Sequence, residues 1–312
     1  MNPTWLTAVM PVHNGQRFLP ATLESAARQG AEGVEFILLD SSDDLDASRR
    51  ILVNFEDRLD IRWVDSRSQP SWTQKTNRGV ELAGAAHVCM LHQDDLWLDG
   101  QLSAVRAGML ANPEACLSIA PSIFIDPDGR PIGQWRLPFA PGWISSDAFT
   151  STLLVQNTIA IPAAVVRRDA WVAVRGLNAD LWYTADWDLY LKLAGLGPVF
   201  VRSAATTGFR IHENSLTMSG SRDIADFRRQ LEAVVSDHIG NVPSSRRKPV
   251  EKLARASLEI NCFLAAVAQG NRASVLRVLS SIFNLGPLAM LRLVQQSRLL
   301  DRLVPRLRMR LS

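Results

Sequence analysis

The chain has 312 residues, of which 47% are hydrophobic and 21% charged. This excludes collagen-like, disordered and coiled-coil classes and predicts two domains or one large α/β domain with an appendage. The net charge of +3 conceals a division: residues 1–240 hold 21 Lys and Arg against 28 Asp and Glu (net −7), and residues 241–312 hold 13 against 3 (net +10), so the acidic part excludes a general nucleic-acid surface and the basic tail suits something anionic.

Over the first hundred residues, short apolar runs alternate with helical patterns, the signature of βαβ units around a mostly parallel sheet. Before Pro11 the chain has no basic segment and only a short apolar run, which does not read as a signal peptide. Leu6 to Val12 predicts the first strand. Leu19, Leu23, Ala26 and Ala27 recur at helical spacing up to Gly30, a plausible helix stop. Val34 to Leu39 predicts the second strand, Ile51, Leu52 and Phe55 a helical stripe, and Ile61 to Val64 the third strand. A helix over 74–83 then leads to a fourth strand, His87 to Leu91. Asp126-Pro127-Asp128-Gly129 reads as a turn joining two strands, and Ile159 to Val166 as a returning strand.

Beyond residue 240 the character becomes basic and helical. Helices are predicted over Ser257 to Ala268 and Ala273 to Ile282. In the last segment Arg292, Arg298, Arg302, Arg306, Arg308 and Arg310 lie among leucines, with Pro305 expected to kink or end the helix. Such a segment suits the surface of an anionic bilayer or a helical bundle packed on the rest of the chain, and both readings stay open. No stretch of ~20 uninterrupted apolar residues predicts a spanning helix. Cys89, Cys116 and Cys262 lie far apart in apolar contexts, which suits a reducing, cytoplasmic compartment.

In open sheets of this kind, ligands bind beyond the carboxyl ends of the strands. The residues there are Asp40 after the second strand and His92, Gln93, Asp94 and Asp95 after the fourth. Adjacent acids at a strand end are costly without a cation or hydrogen-bond donors, although carboxylates also stabilise a helix N-terminus. Asp186 begins an apolar helical segment, where it caps the helix or acts as a base. His212 follows Phe209-Arg210-Ile211. Trp97, Trp135, Trp143, Trp182 and Trp187 fall near loops that could flank a bound ligand, with core filling as the simpler reading.

PVHNGQRFLPATLESAARQ, EFILLDSSDD, LHQDDLW, ADWDLYLKLA and FRIHENS, in this order over about residues 5–220, resemble family 2 glycosyltransferases of the inverting GT-A type. The resemblance implies a Rossmann-like, mostly parallel twisted sheet flanked by helices over 1–240, with a basic helical extension over 241–312. It implies inverting transfer of a sugar from a nucleoside-diphosphate sugar to a hydroxyl of a glycan or lipid-linked acceptor, dependent on Mn²⁺ or Mg²⁺ as cofactor, in bacterial surface polysaccharide synthesis at the inner face of the cell membrane. Residue by residue, Pro11, His13 and Asn14 match the first-strand loop at the nucleotide, and Asp40 the acid at base or ribose. Asp94 and Asp95 match the end of the acidic signature between ribose and metal. His212 matches the histidine that completes the metal site with Asp95, Arg210 lies near for phosphate charge, and Asp186 matches the catalytic base. Ser41, His92 and Ala185 stand where the family commonly has acids. Those departures leave open a nucleotide-sugar-binding protein without catalysis, and the shared fold logic and acidic metal site leave a sugar-phosphate nucleotidyltransferase as a second alternative.

Overall fold

A computed structural model describes residues 4–213, 215, 223–269, 275–283 and 285–311, with the side chains of 268, 275–277 and 306–311 outside that description. The first half alternates strictly: β1 (Leu6–Val12), α1 (Leu19–Ala27), β2 (Val34–Asp40), α2 (Leu45–Val53), β3 (Asp60–Asp65), α3 (Trp72–Leu82) and β4 (His87–Met90). Every residue of β1 is buried, as the unbroken apolar run requires of a strand covered by helices on both faces. Helices α2 and α3 start on side-chain caps: Asp44 accepts from the Ala47 N–H and Ser71 from the Gln74 N–H.

There follow β5 (Leu96–Trp97), α4 (Gln101–Ala111), β6 (Leu117–Ile119), β7 (Ser122–Ile125), β8 (Pro131–Trp135), β9 (Gly142–Ile144) and α5 (Ser146–Leu153). Then come β10 (Val165–Arg167), α6 (Arg168–Ala173), α7 (Ala185–Ala194), β11 (Val199–Val201) and β12 (Thr207–Arg210). Strands β3-β2-β1-β4-β10-β6-β11-β9 form the main sheet and β5-β12-β7-β8 a second. The first four strands of the main sheet are mutually parallel, and β10 pairs antiparallel with both β4 and β6. The strand expected over Ile159 to Val166 is shorter. Pro162, which has no N–H for a ladder, sits in a 3₁₀ turn at Ile161–Ala163, and only Val165–Arg167 pairs.

The C-terminal part is helical: α8 (Ile224–His238), α9 (Ser244–Ala268), α10 (Val275–Phe283), α11 (Pro287–Ser297) and α12 (Leu299–Leu311). Helix α9 begins well before the predicted Ser257. Of the helix expected over Ala273 to Ile282, positions 273 and 274 lie outside the described residues. The break in the last segment falls at Arg298, a left-handed residue with φ 48°, and Pro305 lies inside α12 instead of ending it. One apolar core runs through both sides of the boundary drawn at 240, joining Val9, Ile37 and Leu189 to Val250, Leu253, Leu258 and Leu293.

Candidate active site

Strands β1 and β4 are neighbours in the main sheet, and the chain beyond their carboxyl ends opens into a cavity of about 480 Å³. Its wall includes Pro11, His13, Asp94, Asp95, Asp186, Arg210 and His212, so seven of the nine sequence-predicted residues meet there. The two strand ends are clamped together. The His13 N–H donates to Gln93 Oε1 (2.8 Å), Gln93 Nε2 returns a bond to His13 O (3.0 Å), and Thr22 Oγ1 donates to Gln93 O (2.8 Å).

His92, Asp94 and Asp95 offer ligand atoms that all lie within 4.8 Å of one another. Burial pushes the Asp95 carboxyl well above its ordinary range, and the neighbouring Asp94 adds to the shift. Burial also acts on Asp94, but the hydrogen bond from His212 and the nearby His92 outweigh it and hold that carboxyl low. Desolvation lowers the pKa of His92, which favours the neutral imidazole a metal needs. Asp95 Oδ2 and His92 Nε2 are buried without a hydrogen-bond partner among the described residues. Orphaned ligand atoms beside a carboxylate pair fit a divalent cation with oxygen and imidazole ligands. This set differs from the expected pair of Asp95 and His212, because His212 Nε2 contacts Asp94 Oδ2 (2.8 Å) and joins the cluster through that carboxylate. His92, which stands in place of an acid, offers the third atom of the group.

Asp186 sits in the first turn of α7 and lines the same cavity as the cluster. Its Oδ1 accepts from the Trp187 N–H (2.8 Å) and its Oδ2 from Asn157 Nδ2 (3.0 Å). Burial outweighs both bonds and pushes its pKa up to about 6. A carboxylate so poised is a competent proton acceptor near neutral pH. Trp182 and Tyr183 line the wall beside it.

Residues 7–170 match the family described as glycosyl transferase family 2, a little over half of the chain. The chain belongs to that family. This glycosyltransferase is 20% identical over 251 residues to a Haemophilus influenzae protein described as an uncharacterized glycosyltransferase, covering 77% of its own length and 79% of that protein. Its fold is that of GT-A enzymes. The crystal structure of Staphylococcus aureus TarS 1-349 in complex with UDP-GlcNAc superposes with a TM-score of 0.68 at 12% identity, over 90% of this chain and 80% of that one. The mannosyltransferase PcManGT from Pyrobaculum calidifontis, in complex with GDP-Man and Mn²⁺, gives 0.59 at 16%, over 95% and 86%.

Three of the predicted residues are placed differently in the glycosyltransferase from their expected roles. Asp40 is fully buried off the cavity wall, accepting from the Ser42 N–H (2.8 Å) and Trp63 Nε1 (3.4 Å). Asn14 is also off the wall, where its amide bonds Asp43 and its N–H bonds Ser42 Oγ. Arg210, expected near phosphate, directs Nε to Asp94 O (2.6 Å) and Nη1 to Asp126 O (3.0 Å) and Pro127 O (2.7 Å), with the guanidinium over the Phe18 ring. It is a strut that fixes the acidic turn against the β7–β8 hairpin. Sequence reasoning missed Lys75, Trp72, Gln156, Asn157 and Arg302, all on the cavity wall. Lys75 Nζ donates to Val12 O (2.7 Å) and Ser41 Oγ (2.8 Å), and burial, partly opposed by Asp40, lowers its pKa to about 8. A signal existed: Trp72, Lys75, Thr76, Gly79 and Val80 share one helical face, and a lysine on the core side of a helix is unusual.

Proposed function

We propose that this glycosyltransferase moves a sugar from a nucleoside-diphosphate sugar to a hydroxyl of a glycan or lipid-linked acceptor, with inversion and with Mn²⁺ or Mg²⁺, in bacterial surface polysaccharide synthesis. The observation that carries the reading is that Asp186 and the His92–Asp94–Asp95 cluster face one cavity. Departure of a nucleoside diphosphate builds negative charge on phosphate oxygens, which a cation held by His92, Asp94 and Asp95 would neutralise. Lys75 stands at the β1 end of the same wall as a second positive charge for the donor. In the same cavity, Asp186 takes the proton of the acceptor hydroxyl as its oxygen attacks the anomeric carbon, a contribution of about 10²- to 10⁴-fold. The bond from that carbon to the phosphate oxygen breaks on the far side, the electron pair leaves with the diphosphate, and the configuration inverts.

Residence at an anionic bilayer is supported by the C-terminal helices. Phe283, Leu288, Leu291, Val294, Leu300 and Val304 are exposed there in the most basic part of the chain. No described helix is long and apolar enough to cross a membrane. Thermal unfolding with UDP, GDP, TDP and CDP, each with and without Mn²⁺, tests the donor site. One nucleotide is expected to raise Tm in the presence of metal, and Asp95→Asn to remove the metal-dependent part. Identical Tm under every condition would contradict the reading.

A further inference from the structure

Between α5 and the 3₁₀ turn at Ile161–Ala163 the chain runs through a largely buried loop, whose polar groups must find partners inside the protein. One of those partners is Asp186. Asn157 Oδ1 accepts from the Ile159 N–H (3.1 Å), which fixes the amide with Nδ2 turned to Asp186 Oδ2 (3.0 Å). The other carboxylate oxygen accepts from the Trp187 N–H (2.8 Å). A donor at each oxygen holds the carboxylate against rotation about its Cβ–Cγ bond, while part of the side chain stays open to the cavity.

The loop is held from behind by the C-terminal helices. Gln156 is buried, and its Oε1 accepts from Ser257 Oγ (2.9 Å) and Asn261 Nδ2 (2.6 Å), both on α9. Gln156 Nε2 donates to the Asn157 carbonyl (3.3 Å). Asn261 Oδ1 accepts from Arg302 Nη2 (2.7 Å) on α12, and α12 lies over the edge strand β8, where the Pro305 ring takes the space that a side chain on Gly133 would fill. A train of polar side chains thus joins the candidate base to α9 and α12, both beyond the segment 7–170 that matches the family.

The donor to Asp186 is neutral, which is what a base requires. A cation in the place of Asn157 would orient the carboxylate equally well but hold its pKa low, as His238 and Lys192 do for Asp188 on the same helix. Those three groups satisfy one another, and on α8 Arg228 pairs with Glu259 and Arg229 with Asp226. Asp147 on α5 is exposed, and Tyr190, one turn along α7 from Asp186, is fully buried and neutral.

We infer that Asn157 is the positioning residue of the base and that α9 aims it through Gln156, so that the C-terminal helices belong to the catalytic unit. The inference rests on the proposed role of Asp186 for the word base.

Carbon-13 NMR of the full chain labelled at its aspartate carboxyls tests this without any substrate, the Asp186 signal being the one absent from Asp186→Asn. Its titration midpoint is expected near 6 in the natural chain. Asn157→Leu, which keeps the volume and removes the donor, should raise that midpoint by about one pH unit, and Asn157→Gln should recover part of the change. Ser257→Ala combined with Asn261→Ala, which leaves Asn157 in place but frees Gln156, should give a smaller rise. With Mn²⁺ and UDP-, GDP-, TDP- and CDP-glucose as probes, release of nucleoside diphosphate is expected to show kcat reduced about 10-fold in Asn157→Leu with KM for the donor unchanged. Thermal unfolding of the same samples confirms that each variant is folded. An unchanged midpoint in Asn157→Leu would overturn the inference, and an unchanged midpoint in the double variant alone would overturn the part given to α9. If Asp186→Asn turns over a donor at the natural rate, the reading of Asp186 as base fails separately, and the NMR midpoints still decide whether Asn157 and α9 hold that carboxyl.

Discussion

The Asp186 carboxyl, with its pKa pushed up to about 6 by burial, makes two statements at once. As a base it must be unprotonated, so kcat/KM for transfer is expected to rise about tenfold per pH unit below 6 and to level off above it. As a buried acid it favours the protonated form in the folded chain. Its cost to stability is absent below the unfolded value near 4, grows as pH rises through about 6, and is complete above. Asp186→Asn should therefore stabilise the fold at pH 7.5 by up to about 3 kcal/mol, with the gain shrinking toward pH 4. Urea unfolding at several pH values checks this, and a variant less stable at pH 7.5 would contradict it. The residue itself was legible because ADWDLYLKLA carries it in an ordered series of motifs. The part that His92 can play in the cluster was not legible, since a histidine in an acid's place looks like a loss until its ring nitrogen is placed beside two carboxylates. For Arg210, only the fold reveals that Nε and Nη1 are turned to backbone carbonyls.

At the level of elements, β1, β2 and β4 were legible because each is a largely apolar run bounded by polar turns and buried in the sheet, whereas the edge strand β3 holds no fully buried residue and shows only through the alternation of Ile61, Trp63 and Val64 with polar neighbours. The later part was less so. Short strands such as β6 and β11 have three residues each and carry no periodicity to read. Helix α9 begins in the polar stretch Ser244 to Lys248, where propensity alone gives no start signal. What fixes α7, and with it Asp186, is a buried contact that the sequence pattern does not announce. His238 Nε2 on α8 meets Asp188 Oδ1 (2.8 Å), while Lys192 Nζ reaches Asp188 Oδ2 (2.9 Å) and Gly176 O (2.6 Å). Burial works against the Asp188 anion, but the bonds from His238 and Lys192 prevail and hold its carboxyl below the usual range. That stability is present above the unfolded carboxylate value and is lost as pH falls through the folded one. His238→Ala is expected to cost about 2 to 3 kcal/mol in urea unfolding at pH 7. A loss within 0.5 kcal/mol, the range of an ordinary surface change, would show that α7 is held by apolar packing alone.

For the whole molecule, the charge division seen in the sequence is a division of labour within one core. The acidic 240 residues carry the donor cavity, and the basic remainder packs on the second sheet, contributes Arg302 and exposes an apolar face. Leu288→Glu with Leu291→Glu should reduce sedimentation with phosphatidylglycerol liposomes without disturbing the β8 contacts of α12, and unchanged sedimentation would exclude the bilayer. The central claim is that a metal-dependent donor site and a carboxylate base share one cavity. It is tested most directly by transfer from the matching nucleotide sugar with Mn²⁺, measured beside nucleotide binding in the natural chain and in Asp186→Asn. The account predicts that the variant binds the nucleotide with metal as the natural chain does while transfer falls by at least ~10²-fold. Transfer by Asp186→Asn at the natural rate would contradict it.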